Sequence, residues 1–135
     1  MADTVLYLER TIDASHVIPD HPGKCGRLHG HTYRFEVWMS GDVPPDGDGM
    51  LIDFYDVKQA IDEWDHRHLN DLVSFVPTAE LLAAEMQRRI SALLEARSVI
   101  RAGCVVRLWE TPSSWAQVGE LSTGISQGGV AGQLP

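Results

Sequence analysis

One thiol and two imidazoles lie within residues 24–31, which read Lys-Cys-Gly-Arg-Leu-His-Gly-His. In an extended strand, His29 and His31 leave the same face about 6.5 to 7 Å apart, which suits two ligands of one metal ion. The same face continues with large apolar side chains, namely Tyr33, Phe35, Val37 and Met39. The pattern predicts a metal site on the buried face of a strand, although two hydrogen-bonded structural histidines would produce the same pattern.

A third imidazole, that of His16, ends an earlier run in which apolar residues also alternate, with an interruption at Arg10. If the two strands pair, His16, His29 and His31 converge. Three nitrogen ligands with an open fourth position are typical of catalytic zinc. Cys25 keeps a second interpretation open, namely a closed site of three histidines and one cysteine.

The composition of the 135-residue chain is that of one globular domain, with 44% hydrophobic and 22% charged residues. The formal charge of −8 argues against a surface for nucleic acid or anionic membranes, because both require a positive potential. We find neither a signal peptide nor a transmembrane segment and expect a cytoplasmic protein.

The two cysteines are too few for a disulfide framework. Cys104 is predicted to be a small buried hydrophobe, whereas cations beside Cys25 favour its thiolate.

The periodicity of the apolar residues predicts the order strand, strand, helix, helix, strand, strand. The predicted strands are 4–16, 29–40, 99–110 and 115–121, and the helices follow the N-caps Asp53 and Thr78 and end near Asp65 and Arg97. This order indicates an α+β fold, a four-stranded antiparallel sheet with both helices on one face. We expect one domain over residues 1–121 and a flexible tail over 122–135. Pairing of edge strands between subunits into a closed barrel would protect the sheet edges.

Two further groups of residues could do chemistry. Asp65 and His66 are neighbours where the first helix ends, although polar residues there would also suit the helix dipole. Glu110 shares strand parity with Val106 and Leu108, so its carboxylate points where apolar residues point and needs a partner. Donors near it, such as Thr111, would hold the carboxylate until a ligand arrives.

Six sequence elements in order resemble the superfamily of 6-pyruvoyl tetrahydropterin synthase and 6-carboxytetrahydropterin synthase, which has the tunnelling fold. The resemblance covers about residues 5–120. The elements are Ala-Ser-His16, Cys25-Gly-Arg-Leu-His29-Gly-His31, Leu51-Ile-Asp-Phe54, Asp65-His66-x-His-Leu-Asn70, Pro77-Thr78-x-Glu80 and Glu110-Thr111.

The resemblance implies specific roles for these residues. It assigns catalytic zinc to His16, His29 and His31, and proton transfer to a set formed by Cys25, Asp65 and His66. It assigns pterin anchoring to Glu110, with Thr111 beside it in the substrate site. It further implies a homo-oligomer, a hexamer or a tetramer, with active sites at the subunit interfaces.

The spacing in the first histidine motif favours one branch of the superfamily. Cys25 lies four residues before His29, as is typical of the carboxytetrahydropterin synthases of queuosine and deazapurine biosynthesis. These enzymes convert 7,8-dihydroneopterin triphosphate to 6-carboxy-5,6,7,8-tetrahydropterin, acetaldehyde and triphosphate. Pyruvoyl synthesis, or another pterin side-chain reaction on the same fold, remains an alternative. A further alternative is a module that binds zinc or a pterin without catalysis. The presence of Cys25, Asp65 and His66 argues against it.

Overall fold

A computed structural model of the protein describes residues 4–122. The elements are strand β1 (Thr4–His16), strand β2 (His29–Asp42), helix α1 (Phe54–Asp62), strand β3 (Arg67–His68), helix α2 (Ala79–Ala96), strand β4 (Ile100–Thr111) and strand β5 (Ser114–Glu120). The predicted α+β class and the predicted order of the long elements are confirmed. The expected flexible tail lies outside the described residues except for Ser122, whose backbone N–H donates to Ser40 Oγ at 2.8 Å.

The sheet has five strands in the order β3-β1-β2-β4-β5, one more than predicted. The four long strands are antiparallel, whereas β3 runs parallel to β1 and spans only two residues. His66 explains this edge strand, because its left-handed backbone (φ 58°) turns the chain beside β1 and its N–H donates to Asp13 O at 2.6 Å. Two residues carry no periodic signal, so sequence alone could not predict the strand.

Both helices begin at the predicted caps. Asp53 accepts a hydrogen bond from Tyr55 N at 2.9 Å, and Thr78 Oγ1 accepts one from Leu81 N at 3.2 Å. The predicted buried stripe of α1 holds for Val57 and Ile61, and Trp64 beyond the helix is also buried, whereas Phe54 at its start is 41% exposed. Among residues 4–122, no helix is long and apolar enough to span a membrane.

The core fills the space between the helices and one face of the sheet. The strand positions that alternate toward the helices are almost completely buried, and those on β2 are Tyr33, Phe35, Val37 and Met39. Arg10, which interrupts the apolar pattern of β1, forms a bidentate pair with Asp62 of α1 at 2.8 and 2.7 Å. The residue that interrupts the apolar pattern therefore links β1 to α1 through an ion pair.

The opposite face of the sheet carries a polar cluster that we call the outer-face cluster, formed by Tyr7, Arg34, Glu36 and Trp109. Glu36 is only 3% exposed, and its carboxylate accepts hydrogen bonds from Tyr7 OH and Trp109 Nε1, each at 2.6 Å. Arg34 Nη1 lies 3.5 Å from the same carboxylate. A buried charge is thus fully partnered on this face.

Candidate metal centre and active site

Antiparallel pairing of β1 and β2 brings the three predicted histidines together. His16 lies directly opposite His29, and His31 lies opposite Ala14, two residues along β1. One ring nitrogen of each histidine lies within 4.8 Å of those of the other two. This spacing allows three nitrogen ligands on a single ion, with room for a further ligand.

Backbone carbonyls orient two of the three imidazole rings. His16 Nδ1 lies 2.8 Å from the carbonyl oxygen of Pro77, and His29 Nδ1 lies 2.6 Å from that of Arg27. A carbonyl oxygen can only accept, so each Nδ1 carries the proton and each Nε2 presents a lone pair. Such an outer partner is the usual companion of a metal-binding histidine.

The histidine cluster is partly buried and incompletely partnered. Within residues 4–122, neither His16 Nε2 nor His31 Nε2 has a hydrogen-bond partner, although both atoms are shielded from solvent. Burial lowers the pKa of both imidazoles, which favours the neutral form that binds metals. Buried polar atoms in native structures are normally satisfied. The donor set therefore fits a bound metal ion better than it fits a structural role.

Asn70 anchors the end of β1 beside this cluster. Its side-chain amide accepts from Val17 N and donates to Val17 O, each at 2.9 Å. Val17 follows His16, so the clamp fixes the strand end that carries this ligand. The sequence motif contains Asn70 and Pro77, but their contacts with β1 depend on tertiary structure and were not predicted.

Glu110 reaches the histidine cluster from β4. Its Oε2 lies 3.8 Å from His16 Nε2, and its side chain is 28% exposed. Together with His31 and Trp109 it lines a cavity of about 570 Å³. The predicted donor Thr111 also lines this cavity, but its hydroxyl contacts Ser113, with the Ser113 N–H donating to it at 3.3 Å.

Asp65 and His66 are in contact within a second group of potential ligands. Asp65 Oδ2 lies 3.0 Å from His66 Nδ1, and Asp65 Oδ1 accepts from Asp13 N at 2.9 Å. The Asp13 N–H is the largest influence that lowers the pKa of the Asp65 carboxyl. This group (Asp13, Asp65 and His66) is separate from the histidine trio. His31 and His66 line one open cleft of about 540 Å³.

Cys25 lies in a short 3-10 helix in the loop between β1 and β2, and it is half-buried. Its carbonyl accepts from Ile18 N at 2.9 Å, which closes the loop. Gly26 is needed next to it, because a Cβ there would lie 2.2 Å from His21 O. Within residues 4–122 the cluster of ligand atoms contains three histidines and no cysteine. This geometry favours the open three-histidine arrangement over the closed alternative.

The family model described as 6-pyruvoyl tetrahydropterin synthase matches residues 5–120. The chain belongs to this family of enzymes. The predicted resemblance is thereby confirmed, and the three histidines are the candidate metal site of a 6-pyruvoyl tetrahydropterin synthase family member.

The relatives carry two names. A Haemophilus influenzae protein named 6-carboxy-5,6,7,8-tetrahydropterin synthase is 31% identical over 140 aligned positions, covering 83% of this chain and 96% of that protein. A Synechocystis protein of the same name is 37% identical over 89 positions, covering 59% and 69%. The solved Caenorhabditis elegans 6-pyruvoyl tetrahydropterin synthase has a TM-score of 0.68 at 26% identity, covering 89% of this chain and 97% of that one.

Proposed function

We propose that this protein is a zinc-dependent 6-carboxy-5,6,7,8-tetrahydropterin synthase. Its substrate is 7,8-dihydroneopterin triphosphate, and its products are 6-carboxytetrahydropterin, acetaldehyde and triphosphate. The pathway is queuosine or another deazapurine biosynthesis. The observation that carries the proposal is the converged trio of His16, His29 and His31, in which His16 Nε2 and His31 Nε2 are buried without a hydrogen-bond partner.

Two features support the carboxy branch. The Haemophilus and Synechocystis relatives both bear the carboxytetrahydropterin synthase name. Cys25 also lies four residues before His29, and this spacing resembles that of the carboxytetrahydropterin synthases. The alternative is 6-pyruvoyl tetrahydropterin synthesis, which the similarity to the Caenorhabditis elegans enzyme favours.

The mechanism assigns each side chain a task that its chemistry permits. His16, His29 and His31 would hold the zinc ion, which would supply Lewis-acid chemistry that lowers the pKa of the substrate hydroxyls. Cys25 accepts a proton from a side-chain carbon as the thiolate. His66 is the second proton-transfer group, and Asp65 orients its ring through the contact of 3.0 Å. Glu110 offers two acceptor oxygens to the amino group and ring N–H of the pterin.

We further propose a closed homo-oligomer, a tetramer or a hexamer, with active sites at subunit interfaces. Within one chain, the Asp65–His66 pair and the histidine trio are separate groups. The edge strand β5 also exposes a row of backbone groups that a neighbouring subunit could pair. Sedimentation velocity at micromolar concentration tests this, and a monomer would contradict it.

Product analysis tests the reaction directly. The zinc-loaded protein is incubated with 7,8-dihydroneopterin triphosphate, and the products are identified by mass spectrometry. We expect 6-carboxytetrahydropterin and acetaldehyde, with none formed by a His29→Ala control. Formation of 6-pyruvoyl tetrahydropterin would support the alternative, and an unconverted substrate would leave only a binding module.

A further inference from the structure

Tyr33 is a buried polar residue to which the proposed mechanism gives no task. It follows His31 by two positions on β2, and its side chain is 1% exposed. Its ring centroid lies 5.3 Å from that of His31 and 5.9 Å from that of His16. Within residues 4–122, its shielded hydroxyl has no hydrogen-bond partner. A buried tyrosine hydroxyl usually finds a partner, so an unpartnered one beside the histidine cluster requires an explanation.

The register of β2 and β4, continued by one position, indicates a candidate acceptor for this hydroxyl. Phe35 pairs with Leu108 and Arg34 pairs with Trp109, so the next position places Tyr33 across from Glu110. Directly opposed residues on antiparallel strands have Cβ atoms about 4.5 to 5.5 Å apart. The side chains of both residues point toward the helix face of the sheet by the same alternation.

The chemistry of the pair determines the direction of a hydrogen bond between them. An ionised carboxylate can only accept, and a phenol can donate. A tyrosine hydroxyl has an ordinary pKa of about 10, so it carries its proton at neutral pH and can donate. The Glu110 carboxylate also lies 3.8 Å from His16 Nε2.

We propose that Tyr33 is a positioning residue for the pterin. Its hydroxyl donates a hydrogen bond to the Glu110 carboxylate in the bound state and aims both carboxylate oxygens at the pterin N–H groups. Each carboxylate oxygen has two lone pairs, so one oxygen accepts from both Tyr33 and the ligand. The inference rests on the proposed function, because it requires a pterin on Glu110.

A purely structural role for Tyr33 predicts different behaviour. If the hydroxyl only filled core space, its removal would leave ligand affinity unchanged. If the hydroxyl stabilised the ligand-free fold, its removal would lower the unfolding temperature. The positioning role instead predicts two changes of opposite sign. Removal of the hydroxyl eliminates an unsatisfied buried group, which does not destabilise the fold, and it weakens ligand binding.

The test is a double-mutant cycle read by calorimetric titration of zinc-loaded protein with sepiapterin. The proteins are wild type, Tyr33→Phe, Glu110→Gln, the double variant, and the matched control Tyr55→Phe, whose tyrosine is 62% exposed on α1. We expect Tyr33→Phe to weaken binding by about fivefold or more, Tyr55→Phe to leave it unchanged, and the ligand-free unfolding temperature of Tyr33→Phe to equal or exceed that of wild type.

The coupling between the two substitutions shows whether Tyr33 affects binding through Glu110 or independently of it. In the Glu110→Gln background, Tyr33→Phe should change affinity by less than about twofold, because the acceptor has lost its charge. Equal affinity of Tyr33→Phe and wild type, a lowered unfolding temperature, or a full effect in the Glu110→Gln background would overturn the inference. A wild type that does not bind sepiapterin would refute the proposed function and this inference with it.

Discussion

The two faces of the central sheet each bury polar side chains, but they treat them differently. On the outer face, the Glu36 carboxylate receives donors from Tyr7 and Trp109 at 2.6 Å. On the helix-covered face, His16 Nε2 and His31 Nε2 are shielded without a hydrogen-bond partner in the described chain. A fully satisfied buried network contributes to folding, whereas shielded lone pairs that converge favour a ligand. The comparison supports a structural role for the outer-face cluster and the proposed metal-binding role for the histidine cluster.

Arg107 shows that one unpartnered buried atom is not sufficient evidence for a ligand-binding site. Its Nη1 is buried on the outer face without a partner, while Nε and Nη2 both donate to Gln117 Oε1 at 2.9 and 2.7 Å. The guanidinium lies over the rings of Trp115 at 4.0 Å and Trp38 at 5.4 Å. The aromatic faces stabilise the cation there, whereas the ring nitrogen atoms of the histidine cluster lie within 4.8 Å of one another.

The largest effect is expected at Cys25, on the functional side of the comparison. Cys25→Ala removes the proposed base, so turnover should fall by about a hundredfold or more, in the range that one acid–base group contributes. Metal content should stay at the wild-type level, because the described ligand set contains no cysteine. Steady-state kinetics and metal analysis check this, and Cys104→Ala is the matched control. Loss of metal in Cys25→Ala would support the closed site instead.

The next effect concerns stability on the structural side. Glu36→Gln keeps the shape of the side chain but turns one acceptor into a donor that faces Tyr7 or Trp109. We expect a loss of about 2 kcal/mol in the free energy of unfolding, since hydrogen bonds to buried charges contribute about 1.5–3 kcal/mol. Urea titration measures the loss, while metal content and turnover of the folded variant should stay within about twofold. A large loss of metal would break the distinction between the two faces.

A smaller effect is expected for ligand binding at Glu110. Glu110→Gln retains one acceptor but faces the pterin with a donor, so affinity for sepiapterin should fall by at least about tenfold. Metal content and unfolding temperature should stay unchanged. Calorimetric titration provides the measurement, and equal affinity would remove Glu110 from the pterin site.

The smallest effect is a pH dependence of the metal-free protein. Burial lowers the pKa of His16 in the folded state below its ordinary value of 6.5. As pH falls through 6.5, the unfolded chain takes up a proton that the folded chain resists, so stability decreases toward acid. Between pH 7.5 and 5.5 an imidazole of the unfolded chain passes from mostly neutral to mostly protonated, so the loss of stability falls in this range. Urea unfolding at both values should show a shallower loss for His16→Gln than for wild type, and identical slopes would contradict the assignment.

Local patterns were sufficient for most of the fold. β1 (Thr4–His16) agrees with the prediction because thirteen residues alternate with one interruption, and both helix caps are read from single residues. The histidine trio follows from strand parity plus one assumed pairing. The two-residue β3 and the deep burial of Glu36 were missed, because each depends on residues distant in sequence.

In the candidate site, too, local sequence patterns predicted some features, whereas others depend on residues distant in sequence. The side chains of His16, His29 and His31 could be predicted from alternation, but the carbonyls that orient two of them could not. Thr111 was expected to support Glu110, yet the turn geometry engages its hydroxyl with Ser113. Tyr33 was placed on the buried face correctly, while its lack of a partner emerges only once three strands are assembled.

Metal content tests the central claim most directly. Wild type, His16→Ala and the control His21→Ala, an exposed loop histidine, are loaded with zinc, dialysed and analysed by mass spectrometry of the metal. The account predicts about one zinc per chain for wild type and His21→Ala and almost none for His16→Ala, because three ligands hold the ion. Unchanged zinc content in His16→Ala would contradict the assignment of the site.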